Sequence, residues 1–191
     1  MVIRQDIERM FDELGITPDS TAAVHTSLKS IGMIDGGAEG LLDYYTELLS
    51  EGLLIVPTHT WAVVNRGSPV YDVRETVPNI GVFPQICAKE AFRRENAVRS
   101  LHPTHSVAAF GRRAEEFVKR EENTPSRTPV RGVWGKFYEE NAKVLMIGVG
   151  LERNTYMHSI DEEFNPFPEN PDFYFDAVTI GADGRRYELP R

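Results

Sequence analysis

Short apolar runs of β type alternate with stretches of helical period along this sequence, and no other feature limits its fold as much. Thr21-Ala22-Ala23-Val24-His25-Thr26 and Leu53-Leu54-Ile55-Val56 have the length and apolar density of buried strands, the second ended by Pro57. Ser106-Val107-Ala108-Ala109-Phe110-Gly111 and the run from Lys143 to Gly150 repeat that form. Between them, Ile3, Ile7, Met10, Phe11 and Leu14 recur in steps of three and four, and so do Leu41, Leu42, Tyr45, Leu48 and Leu49. This spacing predicts amphipathic helices over residues 1–14 and over Ala38 to Ser50, the latter closed by Gly52 as its cap. Further helices are predicted over Val82 to Asn96, Arg112 to Glu122, Val133 to Asn141 and Asn154 to Glu163. Strand and helix in turn argue for an α/β protein with a largely parallel sheet. With 191 residues, 41% of them apolar, there is core enough for a single domain over 1–191.

The polar stretch from His59 to Ile80, punctuated by Pro and Gly, has no clean period and is expected as a long excursion over the sheet. Two further loops are expected over 123–133 and over Asn165 to Pro171. Phe173 to Leu189 reads as a hairpin turning at Asp183-Gly184. No apolar run reaches the roughly 20 residues of a membrane-spanning helix. The start, Met1-Val2-Ile3-Arg4-Gln5-Asp6, lacks the apolar core of a secretory signal, so a cytoplasmic protein is expected. A net charge of −8 repels nucleic acid and attracts cationic small molecules, so nucleic acid is not expected as a partner, and the lack of a long apolar run leaves no membrane partner expected either. The one cysteine, Cys87, falls on an apolar helix face and reads as a structural thiol.

Four of the five histidines, His25, His59, His102 and His105, fall at or between predicted strand ends, and His158 follows the fourth strand on a predicted helix. In open α/β sheets, sites form beyond the carboxyl ends of the strands, so separate loops can bring such residues together. In Arg99-Ser100-Leu101-His102-Pro103-Thr104-His105-Ser106, Pro103 holds His102 extended, and the two histidines flank a tight bend. Either alone could simply satisfy buried backbone carbonyls. Both, with an arginine and two serines, point to a site. On its helix, His158 shares a face with Glu162 four residues on. A carboxylate beside an imidazole raises its basicity and fixes its tautomer, which is how a general base for an amine or hydroxyl is built. Taken by itself, the same pair could be a surface histidine beside an acidic patch.

After the first strand, Ser27, Lys29 and Ser30 could hold a phosphate through free N–H groups and a cation, although neither the Walker loop nor Gly-x-Gly-x-x-Gly occurs. The histidines with Asp161 and Glu162 could also supply a zinc site. No His-x-x-x-His or His-Glu-x-x-His spacing is present, and no metal ligand is assigned.

Together these segments resemble the aminoglycoside 3-N-acetyltransferase family. The resemblance is carried by Val24-His25-Thr26-Ser27-Leu28-Lys29-Ser30-Ile31-Gly32, by Val56-Pro57-Thr58-His59-Thr60, by Arg99 to Ser106, and by Ile147-Gly148-Val149-Gly150 followed by Asn154-Thr155 and His158. It implies a three-layer α/β/α sandwich with a mixed, largely parallel sheet and long loops over the strand ends. It implies acetyl-CoA as co-substrate, and acetyl transfer to the 3-amino group of 2-deoxystreptamine in an aminoglycoside, or to a related amine. His158 matches the family's base, with Glu162 or Asp161 as its carboxylate. His102 and His105 would shape the pocket or relay protons. His25, Thr26, Ser27, Leu28, Lys29, Ser30 and Ser106 would face the coenzyme. Trp61, Tyr71, Asp72 and Glu163 would face the acceptor. His59 shares the match without an assigned role. Family members extend past the point matching Arg191, so the domain is expected to lack the family's C-terminal part. Two alternatives stay open: a zinc-dependent hydrolase using the same histidines, and a non-catalytic module that binds coenzyme A.

Overall fold

The computed structural model describes residues 1–119, 132–164 and 175–190. All but the last two residues of the loop expected at 123–133, and the whole of that at 165–171, lie outside the described residues.

The described chain forms a mixed α/β fold. The elements are α1 (Arg4–Glu13), β1 (Thr21–Thr26), α2 (Leu28–Ile31), α3 (Gly37–Leu48), β2 (Leu53–Pro57), β3 (Val70–Asp72), α4 (Val82–Glu90), β4 (Ala97–Arg99), β5 (Val107–Phe110), α5 (Ala114–Val118), α6 (Lys136–Glu139), β6 (Lys143–Ile147), a 3-10 turn (Leu151–Arg153), α7 (Tyr156–Phe164), β7 (Asp176–Ile180) and β8 (Arg186–Pro190). The central sheet runs β4-β5-β2-β1-β6, and a second sheet runs β3-β7-β8.

β1 pairs in parallel with β2 and β6, whereas β5 runs antiparallel to both β2 and β4. The expectation of a largely parallel sheet is corrected here, since half of the pairings in the central sheet are antiparallel. The cause is local. Only residues 100–106 separate β4 from β5, too few for the crossover that parallel pairing needs. β5 therefore folds straight back and inserts between β4 and β2. β4 itself, three residues long, has too little pattern to read in sequence.

Strand alternation divides the core in two. Ala22, Val24, Leu54, Val56, Ala108 and Phe110 face α1, α3 and α4, where Ile7, Phe11, Leu42, Tyr45, Phe83 and Cys87 are buried. Ala23, Leu53, Ile55, Val107 and Ala109 face α5 and α6 through Phe117, Trp134 and Phe137. Gly52 is not the cap of α3, which ends against Leu49. Instead it permits a close approach, because a Cβ there would stand 2.2 Å from the Ser20 carbonyl oxygen.

The excursion after β2 is ordered around Val64, Tyr71 and Val73. β3, within it, pairs with β7 of the hairpin that turns at Gly184. Arg99, buried at the end of β4, ties the excursion down. Its guanidinium donates to the Thr58, Val73 and Thr76 carbonyls and to Thr58 Oγ1, and stacks on Tyr71. No described helix is long and apolar enough to cross a membrane.

Candidate active site

A cavity of about 790 Å³ opens at the carboxyl ends of β1, β2 and β6, where the topology of the sheet leads one to look for a site. Its walls come from five places, one of them His105 in the return from β4 to β5. Val24 to Lys29 continue β1 into α2. Pro57, His59 and Trp61 leave β2. Asn79 to Pro84 lead into α4. Val149 and Glu152 to Thr155, with His158, connect β6 to α7 and begin it.

Strand register brings three histidines together. The antiparallel pairing of β2 with β5 ends at Pro57↔Val107, but its ladder continues, with Thr58 N donating to Ser106 O and Thr60 N to Thr104 O. His59 therefore stands opposite His105, and their ring centroids are 4.8 Å apart. Both point to the face of Ile55 and Val107. His25, two residues past Ala23, points to that face as well. Trp134 floors the cluster: it stacks on His59 at 5.6 Å, and its indole N–H donates to the His105 carbonyl. His59 Nε2 lies 2.9 Å from Thr155 Oγ1, which joins the β2 end to the start of α7.

Burial decides the charge of this cluster. It pushes the His25 imidazole down from 6.5 to about 4. His59 is held well below its usual value, first by burial and then by the neighbouring His105, His25 and His158. Both rings are neutral at pH 7.

The expected coenzyme residues divide. His25, Thr26, Ser27, Leu28 and Lys29 line the cavity, while Ser30 turns back to hydrogen-bond Ser27. Ser106 is fully buried, bonded to Thr58. Gly148 allows the end of β6 to approach α2: its φ is +69°, and a Cβ would meet Ser30 Cβ at 3.0 Å and Ser27 O at 3.1 Å.

Of the expected catalytic group, His158 and His105 line the cavity. His102 is fully buried behind it, its Nδ1 accepting from the backbone N–H groups of Thr104 and His105, so it shapes the bend. Asp161, Glu162 and Glu163 lie exposed further along α7. Of the expected acceptor residues, Trp61 lines the cavity, half exposed. Tyr71 is buried and donates to the Ser100 carbonyl. Asp72 accepts from the N–H groups of Arg74 and Glu75 in a local turn. Sequence reasoning left His59 without a role and missed Trp134 and Glu152. His59 could have been found by carrying the period of two past Pro57. Among the described residues, no three His, Cys, Asp or Glu side chains group as ligands of a metal ion.

A mixed sheet with helices packed on it defines the class, an α/β protein, and solved proteins share that fold. YokD from Bacillus subtilis matches with a TM-score of 0.77 at 20% identity, over 100% of this chain and 82% of that one. AAC-VIa bound to sisomicin matches with 0.78 at 19%, over 98% and 74%. AAC-IIIb in binary complex with CoASH matches with 0.77 at 18%, over 100% and 76%. At these identities the likeness is one of fold.

The model of the aminoglycoside 3-N-acetyltransferase family matches residues 23–189, and the chain belongs to that family. The SPbeta prophage-derived aminoglycoside N(3')-acetyltransferase-like protein YokD of Bacillus subtilis (strain 168) is 26% identical over 181 residues, 81% of this chain and 63% of that one. Aminoglycoside N(3)-acetyltransferase IV of Salmonella sp is 29% identical over 146 residues, 76% and 53% respectively. The chain thus spans less than two thirds of the length of these two relatives.

Proposed function

We propose that this domain transfers the acetyl group of acetyl-CoA to an amino group of an aminoglycoside, the 3-amino group of 2-deoxystreptamine or a related amine, with His158 as general base. The observation that carries the reading is the shared cavity. The β1–α2 loop with Lys29 lines one wall, His158 and Thr155 line another, and a histidine floor lies between them. Structures that hold CoASH and sisomicin belong to proteins of the same fold, which supports both partners. Helices on both faces of the central sheet support a three-layer arrangement. A cytoplasmic setting, with Cys87 kept as a thiol, agrees with that chemistry.

His158 removes a proton as the amine nitrogen bonds to the acetyl carbonyl carbon. The C–S bond then breaks, and the leaving thiolate takes the proton from His158. Amide and thiol are the products, and no covalent acyl-enzyme is required. Glu162, four residues along α7, and Asp161, three along, are the carboxylates proposed to orient His158. Glu152, in the cavity wall, is a further candidate. His158→Ala should lose at least about 100-fold in rate, the usual scale of a general-base contribution. Acetyl-CoA consumption measured over a panel of aminoglycosides tests this, and a variant with full activity would remove His158 from the role.

A further inference from the structure

One ring nitrogen of His59 has a partner and the other has none. Nε2 lies 2.9 Å from Thr155 Oγ1, while Nδ1 is buried with no hydrogen-bond partner among the described residues. The ring packs against both Trp134 and His105. Being neutral, it carries one proton on one nitrogen.

Two arrangements exist. With the proton on Nδ1, a buried N–H donor has no acceptor, and Thr155 must turn its own hydrogen towards Nε2. With the proton on Nε2, the ring donates to Thr155 Oγ1 and leaves only a lone pair bare. Orphaned buried N–H groups are rarer in folded proteins than under-used acceptors. The second arrangement wins. Thr155, already accepting from His59, then keeps its hydroxyl hydrogen for the cavity it lines.

We propose that His59, as the Nε2–H tautomer, donates to Thr155 and so turns the Thr155 hydroxyl into the cavity as the hydrogen-bond donor to the reacting acyl carbonyl oxygen. The inference rests on the acetyl-transfer reading. As the amine nitrogen bonds to the carbonyl carbon, the C=O electron pair moves onto oxygen, which accepts the bond from Thr155. No proton leaves Thr155. When the C–S bond breaks, the pair returns. His158 N donates to the Thr155 carbonyl at 3.1 Å, so the base and the donor are held in one helical turn. Thr155 touches the reacting oxygen, and His59 is a positioning residue behind it.

Nitrogen-15 NMR of the histidine rings in the wild-type chain at pH 7 tests the tautomer directly. A protonated Nε2 and a bare Nδ1 are expected at His59; a proton on Nδ1, or on both nitrogens, would overturn the proposal. This measurement needs no turnover. Failure of the acetyl-transfer reading would show separately, as a wild-type chain that acetylates no amine in the panel. In the active chain, Thr155→Val and His59→Phe should each lower kcat about 100-fold, the scale of one lost oxyanion donor, with KM for acetyl-CoA little changed. The double variant should be no worse than either single one. His59→Gln, which can donate from the same place, should recover most of the rate. Additive losses, or full kcat in His59→Phe, would refute it.

Discussion

His25 and His59 are neutral because of where the sheet puts them. Each sits on the face that carries Trp134 and Phe137, where ionisation would strand a charge. For His25 the consequence for stability has a definite sign. Its pKa is about 4 in the folded chain and near 6.5 when unfolded, so between those values the unfolded state binds more protons. Stability is complete above pH 6.5 and falls as the pH drops towards 4, by on the order of 3 kcal/mol from this residue. Denaturant midpoints from pH 7 to 4 should fall further in the wild type than in His25→Gln, which keeps the contribution of His59 but not that of His25; parallel curves would contradict it. His102 shows the opposite use of the same side chain. Its Nδ1 accepts two backbone N–H groups and so closes the bend that aims His105. Type and spacing flagged both histidines, yet their hydrogen bonds separate a folding residue from a cavity residue.

Among the elements, the β4–β5 return has the greatest influence on the site. It reverses β5, and the register that follows sets His105 against His59. The long strands and the amphipathic helices were legible, because their apolar periods are strong. β3 and β4 were not, because three residues carry no period and their pairing is supplied by β7 and β5. The junction of β6 with α2 depends on Gly148. Gly148→Ala should destabilise the fold by about 1–3 kcal/mol, since alanine at that φ is strained and its Cβ crowds Ser27 and Ser30. On the proposed function, acetyl-CoA binding should weaken in parallel. A variant with an unchanged denaturant midpoint would show that the junction tolerates a Cβ at the 3.0 Å approach to Ser30.

Across the whole molecule, the net charge of −8 sets a field that favours cationic acceptors. Raising the ionic strength from about 0.01 M to about 0.1 M contracts the screening length from roughly 30 Å to 10 Å. On the proposed acetyl-transfer function, kcat/KM for a polycationic aminoglycoside should therefore fall several-fold over that range, and a flat salt profile would show that the field has no part in capture. The sequence by itself determined the α/β class, the family and the identity of the histidine-bearing segments, because apolar period and local motif are properties of neighbours along the chain. It did not determine the strand order of the sheet or how much of it pairs antiparallel, the burial of Tyr71 and Ser106, or the placement of His59 between Trp134, His105 and Thr155. Those depend on which strands pair and in what register, and pairing joins residues far apart in the chain. The neutral charge of the floor follows from the same cause, since burial is a property of the folded whole.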